Sequence, residues 1–274
     1  MPNRKPINTG RNLPLATLVG LVLFGLVLIS TFVFPLLYLI LLILLVPMAV
    51  QELAKAFAHQ GIRLEIFILV FAGISMLISA YDGGIEYLFY IYLISVLVLI
   101  TASMRRDIDN FIKNATGNIF ALTYLPLMAS FVTVILQGDD DGPIRVFAFI
   151  MLTIAADTGG YFAGILFGKH LMSPKISPKK TWEGVAGAVV LQLVIGVLVF
   201  EYLLDEPYWK GLIAGLVLTA TAIFGDLLES AIKRGSGIKD MSHTLPGHGG
   251  VLDRLDSLIP NAMVSWMIFS WLLP

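Results

Sequence analysis

Long apolar stretches follow one another along almost the whole 274-residue chain, and they constrain its fold more than any other feature. A helix needs about 20 apolar residues to cross the hydrocarbon core of a bilayer. Stretches of that kind recur at roughly 14–33, 36–54, 64–80, 85–103, 117–136, 144–167, 185–204, 210–231 and 258–273. The sequence therefore predicts an all-α, polytopic integral membrane protein with about nine transmembrane helices.

Composition supports this class and excludes others. Only 14% of the residues are charged and 57% are hydrophobic, whereas a soluble domain carries about 25% charged residues. The chain has no cysteine, which excludes disulfides and thiolate zinc sites. The basic start MPNRKPINTGRN precedes an apolar stretch without an obvious small-x-small cleavage site, so we expect a retained first helix rather than a removed signal peptide.

The cations are sorted between the two sides of the membrane. With the N-terminus in the cytoplasm, 16 of the 18 Lys and Arg residues fall in cytoplasmic segments, and only Arg145 and Lys210 fall outside. The outside loops YDGGIE, QGDDDG and EYLLDEPYW are acidic. Because cytoplasmic loops of membrane proteins are enriched in Lys and Arg, the sorting predicts a cytoplasmic N-terminus.

Three polar stretches exceed what a scaffold needs, and the first is AADTGGYFAG. Asp157 lies inside the predicted sixth span, where a carboxylate is costly and by default functional. The alternative is that Asp157 meets water at the cytoplasmic end of the span. Gly164 and Gly168 form a small-xxx-small pair, for which we favour close helix packing.

The second stretch is SPKKTWEG. We expect Ser177 to cap a helix that starts at Pro178, with Lys179 and Lys180 in its first turn. Lysines are unfavourable at a helix N-terminus unless an anion such as phosphate binds there. The alternative is that both are ordinary cytoplasmic lysines, and Trp182 is best interpreted as an interfacial anchor.

The third stretch begins with FGDLLESAIKRGSGIKD. Asp226, Ser230 and Lys233 recur at i, i+4 and i+7, so they share one face of a helix. Asp226 is a carboxylate in an apolar span, which favours a functional interpretation. Glu229 is four residues before Lys233, and a simple helix-stabilising pair explains it.

The same stretch ends in PGHGGVLDRLD. Asp253 and Asp256 point the same way if this connection is helical, and Gly249 and Gly250 allow the backbone to approach a ligand closely. Carboxylates together with phosphate oxygens suit Mg²⁺. His248 is a candidate zinc ligand, but the absence of thiolates disfavours zinc.

These residues offer carboxylates for a cation, Lys and Arg for phosphates, and a glycine-rich backbone. They include neither a G-x-S-x-G elbow nor a P-loop. Phosphoryl and nucleotidyl transfer depend mainly on positioning and charge neutralisation, and this set of residues suits them. A nucleotide from the cytoplasm would meet a lipid headgroup at the membrane surface.

The stretch from Ser230 to Asp256 resembles the signature of the phosphatidate cytidylyltransferase (CDP-diacylglycerol synthase) family. GDLLES, SPKKTWEG and DTGGYFAG are similar to further family blocks, with Gly160 where alanine is expected. The likeness covers roughly the C-terminal half. The signature elements occur in register at Ser230, Lys233, Arg234, Lys239, Asp240, Pro246, His248, Gly249, Gly250, Asp253, Arg254 and Asp256.

The resemblance implies that phosphatidate attacks the α-phosphorus of CTP, which gives CDP-diacylglycerol and pyrophosphate. It implies Mg²⁺ held by Asp226, Asp253 and Asp256, with a second cation left open. The implied catalytic residues are Asp226, Lys233, Arg234, Lys239, Asp240, His248, Asp253, Arg254 and Asp256. The implied substrate-binding residues are Asp157, Ser177, Lys179, Lys180, Ser230, Gly249 and Gly250.

The resemblance also implies a place in the cell. We expect a multi-pass protein of the inner or plasma membrane whose active site faces the cytoplasm. Residues 1–136 would form about five spans, and residues 137–274 a catalytic region of about four spans. CTP, phosphatidate and the bilayer are the expected partners, with no nucleic acid, and a homodimer stays open.

Three other functions compete with this interpretation. A CDP-alcohol phosphotransferase needs two further aspartates downstream, and the chain ends within one span of Asp256. A CTP-dependent polyprenol kinase would move the γ-phosphate instead of CMP. A transporter would use intramembrane carboxylates for ion coupling and often shows inverted repeats, of which the sequence gives no sign.

Overall fold

The computed structural model of the chain describes residues 25–138, 141–242, 244 and 249–273. Most of the predicted first span and the predicted catalytic residue His248 therefore lie outside the described residues. The described chain begins with helical residues 25–32, which end just before Pro35. A helix break near Pro35 was expected, and it is confirmed, because Phe34 has non-helical backbone angles (φ −137°, ψ 78°).

In the described part of the N-terminal region, every element of regular secondary structure is a helix. Gly84, in the second helix, has φ 66° and ψ −152°, so a break divides this 41-residue element into two helical segments. These segments correspond to the predicted spans 64–80 and 85–103. The elements are α1 (Pro35–His59), α2 (Ile66–Arg106), α3 (Phe111–Leu122), a π-helical turn (Thr123–Leu127) and α4 (Met128–Gly138).

The C-terminal region combines long helices with one small hairpin. Strands β1 and β2 pair antiparallel and connect two long helices on one side of the bundle. The elements are α5 (Gly142–Phe167), β1 (Leu171–Ser173), β2 (Ser177–Thr181), α6 (Trp182–Leu198), a π-helical turn (Val199–Leu203), α7 (Tyr208–Gly235), α8 (Leu252–Leu255) and α9 (Leu258–Leu272).

The all-α membrane class is confirmed, with six helices in the described residues long and apolar enough to cross a bilayer. Large apolar side chains such as Phe67 (91% exposed) and Phe71 (75% exposed) face outward, as lipid-facing residues do. The number six differs from nine for three reasons. Two predicted spans lie within α2, the last predicted span is the 15-residue α9, and the first predicted span lies mostly outside the described residues.

Helices α5 and α6 approach each other through glycines. A side chain at Gly159 would come within 2.5 Å of the Gly187 carbonyl oxygen, so only glycine fits there. A side chain at Gly168 would lie 2.9 Å from Thr181 Oγ1. Packing was the expected role of Gly164 and Gly168, and the close neighbours of Gly168 agree with it. Close backbone contact of this kind is typical of membrane helices.

The predicted helix start at Pro178 is wrong, because Ser177–Thr181 is strand β2 and α6 begins at Trp182. Thr181 is the N-cap, and its hydroxyl accepts a hydrogen bond from the Gly184 N–H (3.2 Å). The Trp182 N–H donates to the His170 carbonyl (2.9 Å), which anchors the hairpin to the helix start. Threonine satisfies an otherwise free N–H at this later position, so Ser177 is not needed as a cap.

Candidate active site

A cavity of about 560 Å³ lies where α5, α6, α7, β2 and α8 meet. One wall comes from α5 and α6 and is apolar or glycine-rich, with Ala156, Gly160, Gly164, Gly184 and Ala188. The rest of the lining is largely charged, and its charged residues include one from α5. The charged residues that line the cavity are Asp157, Lys179, Lys180, Asp226, Asp253, Arg254 and Asp256. This cavity therefore brings together residues of all three polar stretches, which lie up to about 100 positions apart in sequence.

Lys180 and Asp226 form an ion pair across this cavity. The Lys180 Nζ lies 2.5 Å from Asp226 Oδ2, and the two side chains are 21% and 37% exposed. The Lys180 Nζ also lies 3.5 Å from the Ile223 carbonyl oxygen, one helical turn earlier in α7. The second and third polar stretches are therefore joined directly. A partly exposed pair can exchange partners when a phosphate enters.

Asp256 stands beside Asp226. Burial raises the pKa of Asp256 well above its ordinary value, and the neighbouring Asp226 and Glu229 carboxylates raise it further. A shared direction of Asp253 and Asp256 required a helical connection, and the structure has one, since Leu252–Leu255 is helical and Asp256 keeps helical backbone angles. This turn brings Asp253 and Asp256 to the same cavity.

Asp157 connects α5 to the turn before α9. Its Oδ2 accepts a hydrogen bond from the Ser257 hydroxyl (2.8 Å). One turn deeper, the Asn261 amide donates to the Thr153 hydroxyl (3.1 Å). Because Ser257 follows Asp256 directly, the carboxylate in the predicted sixth span is tied to the acidic cluster.

Asp253 has more hydrogen-bond and ion-pair partners than the other acids that line the cavity. Its Oδ1 lies 2.9 Å from the Lys233 Nζ, and its Oδ2 accepts hydrogen bonds from the backbone N–H groups of Met241 (3.1 Å) and Gly250 (2.8 Å). Lys233 also pairs with Glu229, which is 1% exposed at its side chain. The predicted i, i+4 pair is thus present, and it is buried beneath the loop between α7 and α8.

The donor set fits a divalent cation completed by substrate. Two carboxylates in contact cannot both be ionised unless a positive charge lies between or beside them. Mg²⁺ uses one or two carboxylates together with phosphate oxygens and water. Within the described part of the chain, no three acids or histidines converge into a ready protein ligand shell. Asp226 and Asp256 therefore fit a cation that also needs phosphate oxygens.

Several predicted site residues lie away from the lining of this cavity. Arg234 is exposed, and its Nε donates to the Ile176 carbonyl (3.3 Å), which connects α7 to the hairpin. Lys239 and Asp240 are exposed on the loop that follows α7. Among the described residues, Ser177, Ser230, Lys233, Arg234, Lys239, Asp240, Gly249 and Gly250 are not part of the lining.

Sequence reasoning missed one carboxylate that contacts the signature loop. Glu52 lies near the end of α1, is 3% exposed, and accepts hydrogen bonds from residues on both sides of the loop between α7 and α8. A signal was available, because Glu52 is an acid within the predicted span 36–54. The rule that selected Asp157 applies to it equally.

Comparison with known proteins gives a family. The model of the cytidylyltransferase family matches residues 15–272. The match extends the likeness beyond the C-terminal half, which was the extent expected from the motifs alone.

Curated relatives agree with this match. A phosphatidate cytidylyltransferase of Mycobacterium leprae is 35% identical over 96% of this chain and 89% of its own length. The Mycobacterium bovis protein of the same name is 31% identical over 99% of this chain and 92% of its own length. The Bacillus subtilis protein of that name is 37% identical over 62% of this chain and 63% of its own length.

Proposed function

The chain belongs to the cytidylyltransferase family, and from this membership we propose that it converts CTP and phosphatidate into CDP-diacylglycerol and pyrophosphate. One observation carries the proposal beyond the family: a single cavity is lined by both the lysines of the hairpin and the aspartates of α7 and the α8 turn. Nucleotidyl transfer needs such a combination, because two anionic phosphates must be held close together.

The reaction needs no nucleophile from the protein. An oxygen of the phosphatidate phosphate attacks the α-phosphorus of CTP, a new P–O bond forms, and the bond to the β-phosphate oxygen breaks as pyrophosphate leaves. The chain has no cysteine and no nucleophile elbow. Its contribution is to hold the two phosphates in line and to neutralise their charge.

We assign phosphate neutralisation to Lys179, Lys180 and Arg254, which line the cavity. Arginine can grip phosphate with two parallel hydrogen bonds, while each lysine acts as a point charge. Lys180 would exchange Asp226 for a phosphate oxygen when CTP binds. Lys233, which lies between Glu229 and Asp253, has a different role: it fixes the α8 turn and adds positive charge beneath it.

We assign the Mg²⁺ site to Asp226 and Asp256, whose carboxyl groups meet at the cavity. Mg²⁺ held there would supply Lewis-acid charge to the phosphates of the substrates. Asp253 is the weaker ligand candidate, because both of its oxygens already accept bonds from Lys233, Met241 and Gly250. Its contribution would be to orient the turn that carries Asp256.

The lipid would enter from the side. Tyr161 and Ile165 line the cavity and are 65% and 63% exposed on the outer surface of α5, which supports an opening toward the bilayer. Acyl chains could then remain in hydrocarbon while the headgroup reaches Lys180. The sorting of the cations supports nine spans, a cytoplasmic N-terminus and a cytoplasmic active site in the inner or plasma membrane.

Isotope position tests the reaction class. Purified protein is incubated with Mg²⁺, dioleoyl phosphatidate and CTP that carries ³²P at either the α- or the γ-phosphate. We expect label in the lipid only from α-labelled CTP, with release of one pyrophosphate per lipid formed. Label in lipid from γ-labelled CTP would make the protein a lipid kinase, and CTP-independent uptake into proteoliposomes without pyrophosphate release would make it a transporter.

A further inference from the structure

The loop between α7 and α8 is closed by a carboxylate from a distant helix. Ser242 and Thr244 on one side of the loop, and Val251 and Leu252 on the other, contact the C-terminal half of α1. Glu52 is the residue they share, and it is 3% exposed. A buried carboxylate is costly unless charge-assisted hydrogen bonds satisfy it.

Both oxygens of Glu52 are engaged. Oε1 accepts from the Ser242 hydroxyl (2.5 Å), the Thr244 hydroxyl (3.1 Å) and the Val251 N–H (3.0 Å). Oε2 accepts from the Leu252 N–H (2.8 Å). Two donors, Ser242 and Thr244, therefore come from the first part of the loop, and two, Val251 and Leu252, come from its end.

The second pair of donors lies at the start of α8. Leu252 is the first residue of this four-residue helix, which carries Asp253 and Arg254 and leads to Asp256. So short a helix cannot fix its own orientation, because an isolated helical turn is unstable in water. The bonds from Val251 and Leu252 to Glu52 therefore help to fix where the α8 turn lies relative to the cavity, together with the contacts of Asp253 to Lys233, Met241 and Gly250.

The close approach of Glu52 and Asp253 to the loop backbone requires glycine at position 250. A side chain at Gly250 would lie 2.8 Å from Glu52 Oε2 and 3.0 Å from Asp253 Oδ2, so the backbone is held between two carboxylates. Gly249 has φ +90°, which favours glycine for a different reason. The glycine pair of the signature thus fits around Glu52 and Asp253.

A second contact from α1 reaches the other end of the loop. The Gln60 side-chain amide donates to the Ser236 hydroxyl (3.1 Å), directly after α7 ends. Helix α1 therefore touches the loop near its beginning and near its end. Glu52 is not among the residues that line the cavity, so we do not assign it a direct contact with the substrates.

We propose that Glu52 is a positioning residue of the transferase: its carboxylate clamps both sides of the α7–α8 loop and thereby aims Asp253, Arg254 and Asp256 at the cavity. The expected effect on kcat rests on the proposed function, whereas the clamp, meaning the hydrogen bonds of Glu52 to both sides of the loop, does not. The proposal assigns to the N-terminal region a direct part in building the site.

Glu52→Gln is the sharpest variant because it keeps shape and removes charge. An amide has one accepting oxygen and one donating nitrogen, so the nitrogen must face either the Leu252 N–H or the three donors at Oε1. A donor against a donor leaves buried groups without partners. We expect kcat to fall at least about tenfold, a transition-state cost of roughly 1.4 kcal/mol, while the KM for CTP changes less than about threefold.

Glu65→Gln is the matched control. Glu65 is also a buried glutamate of the N-terminal region (8% exposed), but it pairs with Arg106 and not with the loop. We expect this control to lower Tm while kcat per folded molecule stays within about twofold. A Glu52→Gln protein with wild-type kcat per folded molecule would overturn the positioning role.

Limited trypsin digestion tests the clamp without any activity. Lys239 is exposed on the loop, and cleavage after it is identified by mass spectrometry. We expect Glu52→Gln to accelerate this cut at least about fivefold and Glu65→Gln to leave it unchanged, because local opening controls native-state proteolysis. Equal cleavage in wild type and Glu52→Gln would overturn the clamp.

A milder variant tests the same contacts in case the Glu52→Gln protein does not fold. Replacing both Ser242 and Thr244 with alanine removes two of the donors and leaves the carboxylate bonded to Val251 and Leu252. We expect faster cleavage after Lys239 and a kcat about threefold or more below wild type. Wild-type values for both would contradict the proposal. Absence of label transfer in the wild type would instead sink the proposed function, while the trypsin result would still decide the clamp.

Discussion

The N-terminal and C-terminal regions both bury polar side chains, but they do so differently. In the N-terminal region, Asn118 accepts from the Glu65 N–H (2.7 Å) and donates to the Asn114 carbonyl (2.9 Å), while Glu65 pairs with Arg106 (2.6 Å). In the C-terminal region, Asp226 and Asp256 stand side by side and share the cavity with Lys180.

The difference between the two clusters lies in how the carboxylates are satisfied, since the Tyr124 hydroxyl of the N-terminal region is also buried without a hydrogen-bond partner among the described residues. Each acid near Asn118 has its own cation or amide partner. In the C-terminal region, Glu229 Oε1 and Asn261 Oδ1 are buried without a hydrogen-bond partner among the described residues, and the acids crowd one another. A network in which every acid has a partner stabilises the fold, whereas carboxylates in contact with one another are typical of a ligand-binding site.

The largest expected effect is at the two crowded aspartates. Asp226→Asn and Asp256→Asn should each lower kcat by at least about 100-fold, roughly 2.7 kcal/mol, because a neutral amide replaces a proposed cation ligand. Tm should stay near that of wild type, since Asn keeps the shape of Asp and the Lys180–Asp226 pair that is lost in one variant is partly exposed. Transfer from α-labelled CTP measures the rate.

A residual activity above about one tenth in well-folded protein, a deficit under 1.4 kcal/mol, would remove that aspartate from the cation site. Asp253→Asn sharpens the assignment. We expect it to lose activity as severely but also to lose stability, because Asp253 accepts bonds from Lys233, Met241 and Gly250.

An intermediate effect is expected at Lys180. Lys180→Ala should raise the KM for CTP and lower kcat/KM by about 10- to 100-fold, since a charge-assisted contact to phosphate is worth roughly 1.5–3 kcal/mol. Lys169 is the matched control, as an exposed lysine outside the described lining of the cavity. If Lys169→Ala weakens CTP use as much as Lys180→Ala, general positive charge near the membrane explains the effect, not the cavity.

The smallest effect on activity is expected in the N-terminal network. Asn118→Ala removes an amide that bonds to the Glu65 N–H, the Arg63 carbonyl and the Asn114 carbonyl. Leaving those buried groups unpaired should lower Tm by several degrees, at a cost of about 1–3 kcal/mol. The rate per folded molecule should stay within about twofold. A selective loss of kcat without a change in Tm would remove the distinction between the two regions.

Much of the fold was predictable because hydrophobic length is a local property. The apolar stretches predict the helices. The i, i+3 spacing of Asp253 and Asp256 predicted a shared direction only on the condition of a helical turn, which the structure contains. The break at Gly84 and the hairpin at Ser177–Thr181 differ in how far the sequence revealed them. The first coincides with the gap between two predicted spans, while the second is an antiparallel pairing of β1 with β2 that no motif in the sequence indicated.

The candidate site was predictable where one helical face or one short motif holds the residues. Asp226, Asp253 and Asp256 were found in this way, and Asp157 through its cost in a membrane span. Their grouping with Lys180 needed the tertiary structure, since β2 and α7 meet only through folding. Glu52 escaped notice because its partners lie nearly 200 residues away, and spacing carries no information over that distance.

Cleavage by iron tests the central claim most directly. Fe²⁺ replaces Mg²⁺ at oxygen-rich sites, and with ascorbate and peroxide it cuts the backbone beside its ligands. In the purified protein with CTP, we expect cuts near Asp226 and near Asp256, both suppressed by excess Mg²⁺, and none near Glu65. Cuts confined to other positions, or cuts at these two aspartates that Mg²⁺ does not suppress, would contradict the claim that the crowded acids of the C-terminal region hold the catalytic cation.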